Sequence, residues 1–274
     1  MKKIILLASV LFLLGAANSF SQDSEQKFQG FNLEGYKDNG QKSWEVSGDT
    51  ANIMGSKIEL TNVNADIYDN EKINVVADKG VIDQENGNMN LSKDVAITHP
   101  NGGQMLTDSL NWNRNEDLIT TDDDVMISDE GVMITGTGLK AHPTSKDAEI
   151  LQDVTVMVDT EKDEKKGSEK VIITSDGPMV INQAESYAVF NDNVRAVQGD
   201  QTLKADKMEI YFDAKSSTIK KIFCIGNVEV VQGENMTYAD RAEYNAAEQK
   251  LILTGRPKLI LLTEGDGGIA TFGN

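Results

Sequence analysis

Met89-Asn90-Leu91-Ser92-Lys93-Asp94-Val95-Ala96-Ile97-Thr98 is the stretch whose reading decides the fold. Apolar and polar residues alternate at Met89-Asn90-Leu91 and again from Val95 to Thr98, the period-two pattern of a strand with one buried face. The same alternation recurs outward in both directions: at Trp44-Glu45-Val46, Ile58-Glu59-Leu60 and Ile73-Asn74-Val75, then at Val125-Met126-Ile127, from Val154 to Val158, from Met208 to Phe212 and at Val228-Glu229-Val230. Turn signals separate the runs: Asp38-Asn39-Gly40, Glu85-Asn86-Gly87-Asn88, Asn101-Gly102-Gly103 and Asp129-Glu130-Gly131. Asn and Gly tolerate the positive φ that tight hairpins require. Short strands with a turn every ten or so residues predict an all-β protein.

A longer period lies above the alternation. Asp or Asn followed by Val recurs at Asp94-Val95, Asp124-Val125, Asp153-Val154, Asn193-Val194 and Asn227-Val228, at spacings of 30, 29, 40 and 34. A small residue followed by Asp recurs at Gly48-Asp49, Ala77-Asp78, Thr107-Asp108, Ala205-Asp206 and Ala239-Asp240, with Ser175-Asp176 a further instance. Each unit reads as a strand, a turn, a second strand ending in Asp/Asn-Val, and a strand returning to the next small-Asp pair. Periods of this size mean stacked units that bury their apolar faces only against one another. The repeated acids are expected to close turns or bond neighbouring backbone, as Asx residues do.

Composition narrows the function. With 44 acidic and 26 basic residues the chain carries −18, which argues against nucleic acid, whose phosphates call for clustered Lys and Arg. The single cysteine, Cys224, excludes an intrachain disulfide and a cysteine zinc site. Lys2 and Lys3, a largely apolar run from Ile4 to Leu14, and small residues before Ser19 and Ser21 form the pattern of a cleavable signal peptide over 1–21, hence an exported protein. An uncleaved inner-membrane anchor is the alternative. From Asp159 to Lys170 nine residues of twelve are charged. This divides a first unit, 22–160, from a second, 171–264, across a linker or loop at 161–170, with a glycine-rich tail at 265–274. One continuous β-structure with a charged loop is the other reading.

Chemistry is sparse. His99 and His142 each sit beside a proline, without a partner at metal spacing. Cys224 lies in the apolar run Ile222-Phe223-Cys224-Ile225, where a thiol behaves as a small hydrophobe. No phosphate-binding glycine loop occurs, and Asp122-Asp123-Asp124 lacks the spacing of a calcium loop. No cofactor, metal site or catalytic residue is expected. What remains is shape: a long antiparallel sheet folded over itself encloses an apolar trough. Aromatic residues make up only 6%, and a lining of Val, Ile, Leu and Met suits flexible acyl chains better than sugars.

Certain segments carry a family resemblance. Gly131 to Lys140, Thr144 to Val154, Gly40 to Asp49 and Val76 to Gly80 are similar to the LptC family of lipopolysaccharide export. Leu203 to Met208, Ile222 to Val230, Met236 to Tyr244 and Leu251 to Pro257 resemble the LptA/OstA repeat. The resemblance implies an elongated half-open antiparallel β-jellyroll, or β-taco, built from stacked repeats. It implies an inner face that carries lipopolysaccharide acyl chains, and no enzymatic activity. It also implies pairing with neighbouring jellyrolls into a bridge from inner to outer membrane, energised by a separate inner-membrane ABC transporter complex. Two departures stand out: the N-terminus reads as cleavable, and an LptA-like half follows the LptC-like one.

Alternation nominates the groove residues as Trp44, Val46, Val95, Ile97, Val125, Ile127, Val154, Val156, Met208, Ile210, Val228 and Val230. Edge strands for partners are expected near Gln41–Val46 and Leu251–Leu261. The rival readings are a structural or adhesive β-solenoid without lipid, and an envelope glycan hydrolase, which needs two convergent carboxylates.

Overall fold

The computed structural model describes residues 26–37, 39–68, 72–159, 170–213 and 218–260. The expected signal peptide, nearly all of the charged segment, and the tail lie outside them. The described residues are all-β and form one sheet of 17 strands. In chain order these are β1 (Gln26–Tyr36), β2 (Lys42–Met54), β3 (Lys57–Tyr68), β4 (Lys72–Asp83), β5 (Met89–Thr98), β6 (Gln104–Asn113), β7 (Leu118–Asp129), β8 (Val132–His142), β9 (Asp147–Asp159), β10 (Lys170–Ser175), β11 (Met179–Asn182), β12 (Tyr187–Gln198), β13 (Gln201–Phe212), β14 (Ile219–Gln232), β15 (Asn235–Asn245), β16 (Lys250–Thr254) and β17 (Lys258–Ile260).

The strands run as an antiparallel meander from β1 to β9. The pairing continues across the charged segment, because β10 and β11 lie in line between β9 and β12. Asp176-Gly177-Pro178 separates those two pieces. In the same way β16 and β17 lie in line along β15, separated by Gly255-Arg256-Pro257. Proline has no N–H to give a ladder, so the strand breaks there.

The repeated pairs correct the expected strand layout. Asp94-Val95, Asp124-Val125, Asp153-Val154, Asn193-Val194 and Asn227-Val228 do not end strands, nor do the small-Asp pairs of β2, β4, β6, β13 and β15 begin them. Both markers sit in the middle of strands 10 to 14 residues long. There the backbone bends. Asp94 (φ 52°), Asp153 (52°), Asn193 (52°) and Asn227 (45°) are left-handed, a region that Asn and Asp enter more readily than other side chains. Registers shift at Ser92/Val95, Asn191/Val194 and Ile225/Val228, where β5, β12 and β14 carry one extra residue against a partner. Such a bulge bends the strand and re-aims the residues beyond it. On the partner strands buried positions jump by three instead of two: Ala77 to Gly80, Thr107 to Leu110, Ala205 to Met208, Ala239 to Ala242. Asn62-Val63 is a further member of the series (φ 50°) that the sequence reading passed over.

Bends at one level across the long strands fold the sheet into two arms around a common core. Val63, Val95, Val125, Val154, Val194 and Val228 line the inside of the bend, each at most 4% exposed. The core comprises one cluster from Phe31 to Leu110 and another from Val125 to Ala242, with Met105 packed against both. Val154 and Val156 of β9 and Ile173 of β10 share the second cluster, so packing does not break at the charged segment.

Candidate functional site: the apolar trough

Cross-strand register turns the inner face into rows. On the first arm Val46, Ala65, Val75, Ile97, Met105 and Ile127 are successive partners. The row goes on through Ile134, Val156, Ile173, Ala196 and Leu203 to Val230. At a strand spacing of about 4.8 Å this apolar row is about 50 Å long. On the second arm a deep row holds Leu91, Leu110, Leu139, Ile150, Met179, Phe190, Met208 and Cys224, all buried. Nearer the free ends of the strands, Ile53, Ile58, Ile82, Met89, Trp112 and Ile119 form a lip row. It continues through Ala141, Ala148, Ile181, Ala188 and Ile210 to Ile222. Burial falls from the bend outward, so that most of the lip row and much of the first-arm row are only half-buried.

The residues nominated from sequence all take inner positions, though on unequal parts of the trough. Val95, Val125, Val154 and Val228 line the bend. Trp44, Val46, Ile97, Ile127, Val156 and Val230 belong to the first arm. Only Met208 and Ile210 represent the second arm. Sequence reasoning missed the rest of that arm. The signal was present, since Leu91 and Leu110 sit in alternating runs. However, the extra residue at each bend puts the two arms out of phase in sequence, and one phase was followed.

The outside of the bend is polar and bonded across strands. Asn62 donates to Asp49, Thr137 to Asp124 at 2.7 Å, Asn193 to Asp176 at 2.7 Å and Asn227 to Asp206 at 3.0 Å. Asp49, Asp124, Asp176 and Asp206 therefore accept from neighbouring side chains, where the sequence predicts turn closure or bonds to backbone. Among the described residues no group of acids, His and Cys is placed to hold a metal ion. His142 Nδ1 lies 3.0 Å from Asp147, and the Ser145 hydroxyl bonds the same carboxylate, not the imidazole. These bonds from Ser145 and His142 hold the Asp147 carboxyl below its usual range, and the group organises the β8–β9 turn. Burial pushes the Cys224 thiol up to about 12.

At one end of the sheet β1 is the edge strand, exposed except at Phe31 and half-buried Leu33 and Gly35. This corrects the expected edge at Gln41–Val46: that segment enters β2, which is paired on both sides. Its alternation marks a half-buried face, whereas the true edge has weaker alternation because little of it is buried. At the other end β16 and β17 expose Leu251, Ile252, Leu259 and Ile260.

Residues 4–159 match the family model described as "Lipopolysaccharide-assembly, LptC-related". The chain belongs to the LptC-related family. Residues 172–269 match a second model, "LptA/(LptD N-terminal domain) LPS transport protein". An LptC-related domain is thus followed by an LptA/LptD N-terminal-type domain, and this LptC-related chain is a lipopolysaccharide-transport protein of the cell envelope, not an enzyme. The two matches meet across the charged segment, over which the sheet itself is continuous. No curated protein matches the chain.

Proposed function

We propose that the trough of this chain holds the acyl chains of lipopolysaccharide in the periplasm, and that the chain forms a segment of the bridge between the two membranes. The observation that carries this reading is the unbroken apolar row of the first arm. Polar side chains do not interrupt the first-arm row between Val46 and Val230, and its half-buried members leave apolar surface for an acyl chain to cover. Burying hydrocarbon there contributes roughly 0.8 kcal/mol per CH₂. The energy for directional movement comes from a partner, because the trough has no chemistry of its own to drive it. The two sheet edges are the partner surfaces of the proposal. Open ladders accept a further strand by main-chain hydrogen bonding, and continuing the sheet continues the trough into the neighbouring jellyroll.

The test is photocrosslinking from Ile127 and Val156 on the inner face, with outward-facing Met126 and Thr155 as controls. The expected result is a lipopolysaccharide adduct from the inner pair only. Equal labelling of both pairs, or of neither under conditions where free lipid is captured elsewhere, refutes the trough as carrier and leaves a lipid-free structural solenoid.

A further inference from the structure

Trp112 is the polar exception in the second-arm lip. Its side chain lies on the inner face between Met89 and Ile119. Its Nε1–H is buried and has no hydrogen-bond acceptor among the described residues. A buried N–H left without an acceptor is unfavourable, and phenylalanine would fill the same apolar position without that cost. Two residues on, the guanidinium of Arg114 stands over the Trp112 ring, 5.3 Å from its centroid. The rest of the hairpin holds it there. Asn113 Oδ1 accepts from the backbone N–H groups of Asn115 and Glu116 at 3.2 and 3.3 Å. Asn115 donates to the carbonyl of Asn86 at 3.1 Å, tying the hairpin to its neighbour. The Arg114 stem lies over Gly87, where a Cβ would come within 3.8 Å of it. Arg114 is exposed and makes no ion pair among the described residues, despite the acidity of the chain.

A buried, unpartnered neutral donor on the inner face and a cation with no ion pair among the described residues, stacked on one ring, match the junction of an acylated lipid with its head. We propose that Trp112 and Arg114 form a lip clamp, in which the indole N–H donates to the ester or amide carbonyl at the root of a trough-bound acyl chain and the guanidinium pairs with an anionic phosphate of the head. The clamp rests on the reading of the trough as acyl carrier. It adds selection: hydrocarbon burial alone takes any chain, whereas the clamp distinguishes acyl from alkyl linkages and phosphorylated heads from neutral ones.

The experiment uses monomeric short-chain phosphatidylglycerol, its dialkyl ether analogue and a diacyl glucosyl lipid without phosphate. The chain has two tryptophans, so the indole ¹H–¹⁵N spectrum holds two signals, separated by Trp44→Phe. The Trp112 signal is expected to move downfield with the diacyl lipid and not with the ether. The diacyl lipid should bind about 2- to 10-fold more tightly than the ether, the range of a net hydrogen bond. Trp112→Phe should reduce that ratio to one. Arg114→Gln should weaken phosphatidylglycerol about 2- to 5-fold more than the glucosyl lipid, as for a solvent-exposed ion pair. Binding of all three lipids with an unmoved Trp112 signal, or a ratio retained in Trp112→Phe, overturns the clamp and leaves the trough intact. Failure of the native chain to bind any of them overturns both.

Discussion

Substitution at Asn227 tests the bend directly. Asn227 is left-handed at φ 45° and follows Gly226, itself at 77°. Its amide donates to Asp206 across the bend at 3.0 Å. Asn227→Gly keeps the conformation and removes only an exposed hydrogen bond, about 0.5 kcal/mol at that exposure. Asn227→Ala loses the same bond and adds the left-handed penalty of an L side chain, about 1–2 kcal/mol. Asn227→Val adds β-branching in a region where such residues are outliers, for a total of about 2–3 kcal/mol. With a urea m-value of about 2–3 kcal/mol/M, Asn227→Val lowers the midpoint by about 1 M, and Asn227→Gly leaves it nearly unchanged. Far-UV circular dichroism follows the whole sheet, while tryptophan fluorescence follows only the first unit, where Trp44 and Trp112 lie. Because β9 pairs with β10 and β11 in one cluster, both signals should shift together. Equal midpoints for Gly, Ala and Val would refute the claim that backbone conformation, not the side-chain bond, sets this position. A shift in circular dichroism alone would refute the coupling of the two units.

Other consequences can be checked more briefly. The Cys224 thiol is buried and held up at about 12, so a thiol reagent at pH 8 should label it only as fast as the sheet opens, with the rate following urea rather than reagent concentration; prompt labelling would contradict its burial. The net charge of −18 repels an anionic lipid head. Raising salt from about 0.01 to 0.15 M, which shortens the Debye length from about 30 to 8 Å, should therefore leave lipopolysaccharide affinity unchanged or increase it. A steep loss with salt would show that attraction, not acyl burial, drives binding.

Much of this architecture is written locally. Alternation such as Met89-Asn90-Leu91 marks strands because the side-chain period is a property of the extended backbone itself. The Asn-Gly and Glu-Gly tips mark hairpins for an equally local reason: Gly40, Gly87, Gly102 and Gly131 all have positive φ. The recurrence of Asp/Asn-Val is legible too, but its meaning is not. A left-handed Asx serves a hairpin and a mid-strand bulge equally well, and only the partner's register distinguishes them. That ambiguity hid the second arm of the trough, since each bend shifts the phase of alternation by one residue.

By itself, then, the sequence determined the strands, the turns, the repeat and the family to which the chain belongs, because each rests on residues near one another along the chain. Tertiary structure alone decided that the repeated pairs bend strands rather than end them, that both arms close on one core, and that β1 instead of Gln41–Val46 forms the edge. It alone set the Trp112 indole into an apolar lip with no acceptor among the described residues. These are relations between strands, and pairing, burial and the absence of a partner become defined only when distant segments meet.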